Sequence, residues 1–317
     1  MRAVVLQRFG GPEVLQMGDV PRPTPGPGEL LVRIVAAGTN PLDAKIRATG
    51  HWAKIQPPAV LGYEASGVVE EVGVGVEGFR SGDEVYYVAE VLGNRGGCYA
   101  EYNVVPARIV ARKPRSLSFI EAAAVPLAGG TAWDGIVRRL AVRVGETVLV
   151  HGGAGGVGSF AVQFAHRAGA RVLATASTAN QRTLRQLGVD RPIDYTSEDV
   201  GDVIRRETEG RGVDALFDTV GGESLARLLP YVREFGRAAT ILAPAGDLRP
   251  IYRNNLALHG IFLARERERL DEMRPLLERG EVKPLIDLVL PLEDARKAHE
   301  RLDSGHGRGK IVLKIAP

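Results

Sequence analysis

Through the middle of the chain, apolar positions fall in short unbroken runs, and the stretches between them repeat with a helical period. Residues 147–151, 171–176, 213–218 and 237–242 are runs of the length expected for strands buried on both faces. Between them, 157–168, 181–187, 200–207 and 224–232 carry the spacing of amphipathic helices. This alternation predicts a doubly wound parallel sheet. The first third has a different texture. Residues 30–37, 67–73 and 83–88 are β-branched or aromatic runs, separated by Gly- and Pro-rich turns such as 21–28. Ser118 and Glu121 have the spacing of a capping box and mark the change to helix. After about residue 264 one charged helix is expected, and 309–315 then alternates like a strand, so the tail returns to the texture of the beginning.

Composition narrows the class without naming an activity. Of 317 residues 44% are hydrophobic and 25% charged, the balance of a water-soluble globular protein with a sizeable core. The net charge of +3 comes from Lys and Arg scattered among acids, so no nucleic-acid partner is expected. A single cysteine, Cys98, rules out an internal disulfide framework and suits a reducing compartment. Neither a signal-peptide pattern nor a membrane span is visible, and the expectation is cytoplasmic, with no membrane partner.

One motif carries chemistry. Gly153-Ala154-Gly155-Gly156-Val157-Gly158 is a Gly-x-Gly-x-x-Gly turn, weak evidence alone among 39 glycines. Here it follows the strand run 147–151 and opens a helix with an apolar face at Val157, Ala161, Phe164, Ala165 and Ala168. In that setting Gly153 allows the tight turn, Gly155 lets the backbone approach a pyrophosphate, and Gly158 lets helix and strand pack closely. The helix N-terminus offers free N–H groups to the phosphates. NAD sites carry an acid about 20 residues further on. The stretch 173–182 has none; it reads Ser177, Thr178 and then Arg182, which suits the 2′-phosphate of NADPH. Arg182 also reads as an ordinary solvated helix residue.

With these motifs in order the chain resembles the medium-chain dehydrogenase/reductase superfamily, in its zinc-independent quinone oxidoreductase (zeta-crystallin-like) branch. The resemblance runs nearly end to end, through residues 37–43, 61–69, 82–85, 129–132, 145–163 and 309–313. It implies an α/β fold: a GroES-like β domain built from both termini (1–124 and 265–317) around an inserted Rossmann domain (125–264). It also implies dimers joined through Rossmann strands.

In the zinc branch of that superfamily a Cys and the His of a Gly-His-Glu motif hold the metal. The matching positions here are Asn40 and Tyr63, in Gly62-Tyr63-Glu64, and neither is a usual zinc ligand. The structural four-cysteine zinc lobe is absent too, so no metal is expected. Hydride delivery without a Lewis acid favours acceptors that are already electrophilic, quinones or α,β-unsaturated carbonyls.

The resemblance places Asn40 and Asp43 at the nicotinamide cleft, with Asn40 hydrogen-bonding a substrate oxygen. The plainer readings are a turn residue before Pro41 and a helix N-terminal acid. Lys45 reads as a ribose contact, a donor to a developing enolate, or a solvated lysine. Tyr63 reads as a proton relay in the cleft or as a tyrosine packed at a strand start. Thr131 resembles a residue packed near the nicotinamide, and Tyr195 one near the adenosine phosphate. Val220 and Gly221, after Asp218, stand where a strand ends at the ligand edge; Leu242 and Phe262 follow later runs by analogy. His51, Trp52 and the loop 91–97 are expected to shape the substrate mouth. Cys98 reads as an inert thiol. The expectation is therefore an NADPH-dependent quinone or enone reductase. The alternatives are a non-catalytic NADPH-binding scaffold or nucleic-acid binder and, behind it, a zinc alcohol dehydrogenase.

Overall fold

The structure, a computed structural model, describes residues 1–90, 93 and 96–316. Of the loop expected at the substrate mouth, Val91, Leu92, Asn94 and Arg95 lie outside the described residues. Two compact units emerge: Met1–Leu127 with Ala264–Pro317, and Ala128–Leu263.

The first unit opens with β1 (Arg2–Leu6), β2 (Leu15–Asp19) and β3 (Glu29–Thr39). Helix α1 (Pro41–Thr49) follows, then β4 (Ala59–Val60), β5 (Glu64–Val72), β6 (Glu84–Val88), β7 (Tyr102–Pro106) and β8 (Val110–Arg112). Short helix α2 (Phe119–Ala123) starts at the expected capping box. The Glu121 N–H donates to Ser118 Oγ at 3.2 Å, and the Ser118 N–H to the Glu121 carboxylate at 2.8 Å. Helix α3 (Pro126–Trp133) begins at the end of this stretch and runs on into the second unit, where a π-helical turn, Asp134–Arg139, follows.

The second unit alternates β9 (Thr147–His151), α4 (Gly156–Arg167), β10 (Arg171–Ala176), α5 (Gln181–Gln186), β11 (Arg191–Asp194), α6 (Val200–Glu207), β12 (Val213–Asp218) and α7 (Ser224–Leu228). It ends with β13 (Val232–Thr240), α8 (Arg249–Arg253) and β14 (Ala257–Gly260). All pairings are parallel, in the order β11-β10-β9-β12-β13-β14. The chain therefore reverses direction across the sheet at β9, which makes the C-terminal edge of β9 and β12 its switch point. Every residue of β12 is buried, which is why its apolar run is unbroken. The run expected at 237–242 belongs to a longer strand whose register shifts early in its pairing with β12. Strand β11 was not anticipated: it is short, polar at both ends and contains Pro192, which an edge strand tolerates.

The chain then returns to the first unit. Two helices, α9 (Arg267–Glu278) and α10 (Ala295–Asp303), stand where one was expected. Strand β15 (Ile286–Pro291) separates them, and β16 (Lys310–Lys314) closes the unit. Strand β16 lies between β15 and β3, antiparallel to β3 in the register Ile311↔Thr39. The fold is thus a GroES-like β unit built from both ends of the chain, with a Rossmann-type sheet inserted between them. Leu30, Val32, Ile34, Val85, Tyr87, Tyr99 and Leu313 centre one core; Leu149, Leu173, Ile193 and Leu216 centre the other.

Candidate functional site

The glycine turn sits at the switch point between β9 and α4. The Gly153 N–H donates to the Thr175 carbonyl at 2.9 Å and the Gly152 N–H to Thr175 Oγ1 at 3.0 Å, tying the turn to β10. A Cβ on Gly158 would lie 2.1 Å from the Gly152 carbonyl oxygen, so a side chain there would drive helix and turn apart. A Cβ on Gly155 would meet only that same oxygen, at 3.3 Å, so Gly155 keeps space open outside the turn rather than packing inside it. The first helical bond is the Ser159 N–H to the Gly155 carbonyl, and no side chain caps the end. The N–H groups of Gly156, Val157 and Gly158 therefore have no helical acceptor. With the positive end of the helix dipole behind them, they fit the diphosphate of a dinucleotide.

A buried carboxylate shapes the neighbouring edge. Asp218, 1% exposed, accepts from the Val220 and Gly221 N–H groups, Ser224 Oγ and Thr240 Oγ1. It fixes the loop holding Val220, half exposed, and Gly221, which packs against Leu242. At the end of β10, Ser177 is partly buried, while Thr178 and Arg182 are exposed. Tyr195 is half exposed, Phe262 well exposed and Thr131 buried in α3. The acid-free stretch 173–182 has an acid beside it after all. Asp194 ends β11 in register with Ala176 and accepts from Thr178 Oγ1 at 2.6 Å.

The first unit holds a second cluster, wholly buried. Lys310, at the start of β16, donates to the Thr39 carbonyl at 2.7 Å, to Glu64 Oε1 at 2.6 Å and to Asn40 Oδ1. Asn40 Nδ2 donates to the same carboxylate oxygen at 2.8 Å, and the Leu127 N–H donates to Glu64 Oε2 at 2.8 Å. Asn40 precedes α1, and Asp43, one turn in, accepts from its N–H at 2.8 Å. Asp43 also accepts from the Tyr99 hydroxyl at 3.1 Å, while its Oδ1 is buried without a partner. Burial is the main reason its pKa is raised to about 7, partly countered by the bond from Asn40. Behind Tyr99, His299 Nε2 lies 3.3 Å from the hydroxyl and Nδ1 3.3 Å from Arg47, which pairs with Asp303 at 2.7 Å. Burial, with Arg47 adding to it, pushes His299 down to about 3, so the imidazole is neutral.

Two expectations change here. Lys45 is exposed on α1: two residues beyond Asp43, it faces about 200° around the helix and is not part of the cluster. Tyr63 is 2% exposed and packed in the core beside β5, the plainer of its two readings. Of Asn40's groups, the oxygen is held by Lys310 and one amide hydrogen by Glu64, leaving one hydrogen to offer.

The comparisons with known proteins bear on both units. Residues 26–115 match the family described as alcohol dehydrogenase GroES-like domain, and residues 187–313 match zinc-binding dehydrogenase. The chain is 37% identical to a 2-methylene-furan-3-one reductase of Solanum lycopersicum, over 100% of this chain and 80% of that protein. The solved structure of an NAD-dependent alcohol dehydrogenase superposes with a TM-score of 0.93 at 37% identity, covering 100% of both chains. The chain belongs to the medium-chain dehydrogenase/reductase superfamily. Within it, it falls in the zeta-crystallin-like quinone oxidoreductase branch; the Escherichia coli quinone oxidoreductase, solved in complex with NADPH, matches with a TM-score of 0.90 at 30% identity, over 99% of this chain and 100% of that one.

The zinc-holding positions of the superfamily do not suit a divalent cation in this member. An ammonium already sits on Asn40 and Glu64, and Tyr63 is packed among apolar side chains. Among the described residues no group of three His, Cys, Asp or Glu side chains could hold a metal ion. Sequence reasoning quoted Glu64 and Lys310 inside motifs but assigned them no role, and it overlooked Tyr99 and His299. A lone lysine opening a buried strand was the available signal for Lys310; nothing local marks His299, 200 residues from Tyr99.

Proposed function

We propose that this chain is an NADPH-dependent reductase that delivers hydride to a quinone or to an α,β-unsaturated carbonyl. The observation that carries the reading is the uncapped N-terminus of α4 at the switch point, opening on the space that Gly155 keeps clear. NADPH supplies the hydride when bound. The turn Gly153–Gly158 holds the diphosphate through the N–H groups of Gly156, Val157 and Gly158. Ser177, Thr178, Arg182 and Tyr195 take the adenosine side, and Thr131, Val220, Gly221, Leu242 and Phe262 the remainder.

Asn40 offers its remaining amide hydrogen to the substrate oxygen, and Lys310 and Glu64 hold the amide in one orientation. Asp43 braces the same turn from behind. Burial raises the Tyr63 hydroxyl well above its ordinary range, so it is a neutral phenol at working pH. Solvent supplies the proton that completes the product. The acceptor class is supported by the names of the relatives and by the missing zinc ligands: nothing at Asn40 or Tyr63 polarises a carbonyl as a metal does.

A homodimer in the cytoplasm is the assembly we infer. Strand β14 is an edge of its sheet, with exposed Tyr252 a few residues before it. Among the described residues no helix is long and apolar enough to cross a membrane. The function is tested by following NADPH absorbance against a panel of quinones and enones. Turnover on either panel is the expected result, and no turnover with any member would overturn it. Light scattering on the purified chain reads the assembly, and a monomer mass would remove the dimer.

A further inference from the structure

The feature left unused is Asp194. It stands at the C-terminal end of an edge strand, level with Ala176 at the end of β10. A doubly wound sheet receives the adenosine ribose beyond the end of its second strand, here β10. The carboxylate is held there firmly. Its Oδ1 accepts from the Thr196 N–H at 3.0 Å and from Thr196 Oγ1 at 2.6 Å, and its Oδ2 from Thr178 Oγ1 at 2.6 Å. The Gln181 amide ties the two strand ends together by donating to the Ala176 carbonyl at 2.9 Å and the Ile193 carbonyl at 3.2 Å. Thr178 keeps Asp194 below the usual carboxylate range, so it is charged at neutral pH. Ser197 adds a further side-chain hydrogen bond to the same carboxylate, so three neighbours hold it at the strand end. Arg182, exposed in the first turn of α5, makes no ion pair among the described residues.

We propose that Asp194 is a specificity-determining residue for the adenosine ribose, its charge opposing the 2′-phosphate of NADPH and keeping the site open to NADH. This rests on the dinucleotide reading above. Arg182 pulls the other way, so the chain uses both cofactors where a site with the cation alone would discriminate strongly. The acid comes from β11 rather than β10, which hides it from a search by spacing along the chain.

The test is the dissociation constants of NADPH and NADH, measured by nicotinamide fluorescence on the full chain, for wild type, Asp194→Asn and Asp194→Ser. A carboxylate a few ångströms from a dianionic phosphate, screened by water, is worth about tenfold in binding. The expected result is measurable wild-type binding of both cofactors and a shift of about tenfold toward NADPH in both variants, shrinking in 1 M salt. A ratio unchanged within about twofold, or moved toward NADH, overturns the role of Asp194 and leaves the cofactor reading standing. Wild-type protein that binds neither cofactor overturns the dinucleotide reading itself, and this inference with it.

Discussion

Replacing Lys310 by Met puts the buried cluster to its hardest test. The ammonium is 3% exposed and its partner carboxylate, Glu64, is wholly buried, so no water stands ready to replace either group. Removing the cation leaves the Glu64 carboxylate, among the described residues, with the Asn40 amide and the Leu127 N–H as its donors. An uncompensated buried charge of this kind costs about 3–5 kcal/mol. For a unit in the 150–250-residue range that is a fall of roughly 6–20 °C in melting temperature, read by differential scanning calorimetry. Glu64→Gln alone strands the ammonium and should cost a comparable amount. The double variant carries no buried charge and should recover most of the loss, with a coupling energy of at least about 2 kcal/mol. Two single losses that simply add, or a Lys310→Met loss below about 1 kcal/mol, would show that the pair is hydrated and that this account of the cluster is wrong. NADPH binding should survive in whatever fraction stays folded, because neither group lies in the glycine turn.

Three further outcomes follow from distances and burial. Gly155→Ala should fold with little change in melting temperature, since its Cβ meets one oxygen at 3.3 Å, yet weaken NADPH binding about tenfold or more by crowding the diphosphate; Gly158→Ala, 2.1 Å from a carbonyl, should lose stability and binding together, and fluorescence titration beside calorimetry separates the two patterns. Asp43, raised to about 7, binds its proton more tightly folded than unfolded, so its contribution is full below about pH 4 and falls away as pH rises toward 7, by up to about 4 kcal/mol. His299, lowered to about 3, has the opposite slope, its contribution falling as pH drops from about 6.5. Asp43→Asn should therefore gain stability relative to wild type, more at pH 7 than at pH 4.5, and equal gains in urea titrations at the two pH values would refute the assignment. Cys98 is wholly buried and its thiol pushed up by that burial, so Ellman's reagent should find no thiol in the native chain and one after denaturation; a fast native reaction would contradict it.

Much of the inserted unit was legible because its logic is local. Strands β9, β10 and β12 are buried on both faces, so their runs stand out, and the glycine turn must lie between a strand and the helix it opens. The candidate site in the first unit was legible only in part. Asn40 and Asp43 are three residues apart and share a helix start, which motif reading can find. Lys310 on β16 and His299 on α10 come from 200 or more residues away, and Tyr99 from a bend 56 residues beyond Asp43; no local periodicity encodes those approaches. The cofactor reading met the same limit on a smaller scale. Spacing along β10 correctly found no acid, but a neighbouring strand of four residues, one of them proline, brought Asp194 alongside.

Strand β16 also constrains how the molecule is made. Residues 1–127 leave the ribosome early, yet the sheet they form lacks its β16 neighbour until residues 310–314 appear. At ordinary elongation rates that is a wait of roughly ten to forty seconds, during which the whole inserted unit is synthesised and free to fold. Throughout that interval β3 has an open edge, and Glu64 has no ammonium to neutralise it. Nascent chains stalled just short of Lys310 should thus carry a protease-resistant middle and a protease-sensitive beginning, the reverse of the order in which the two were made.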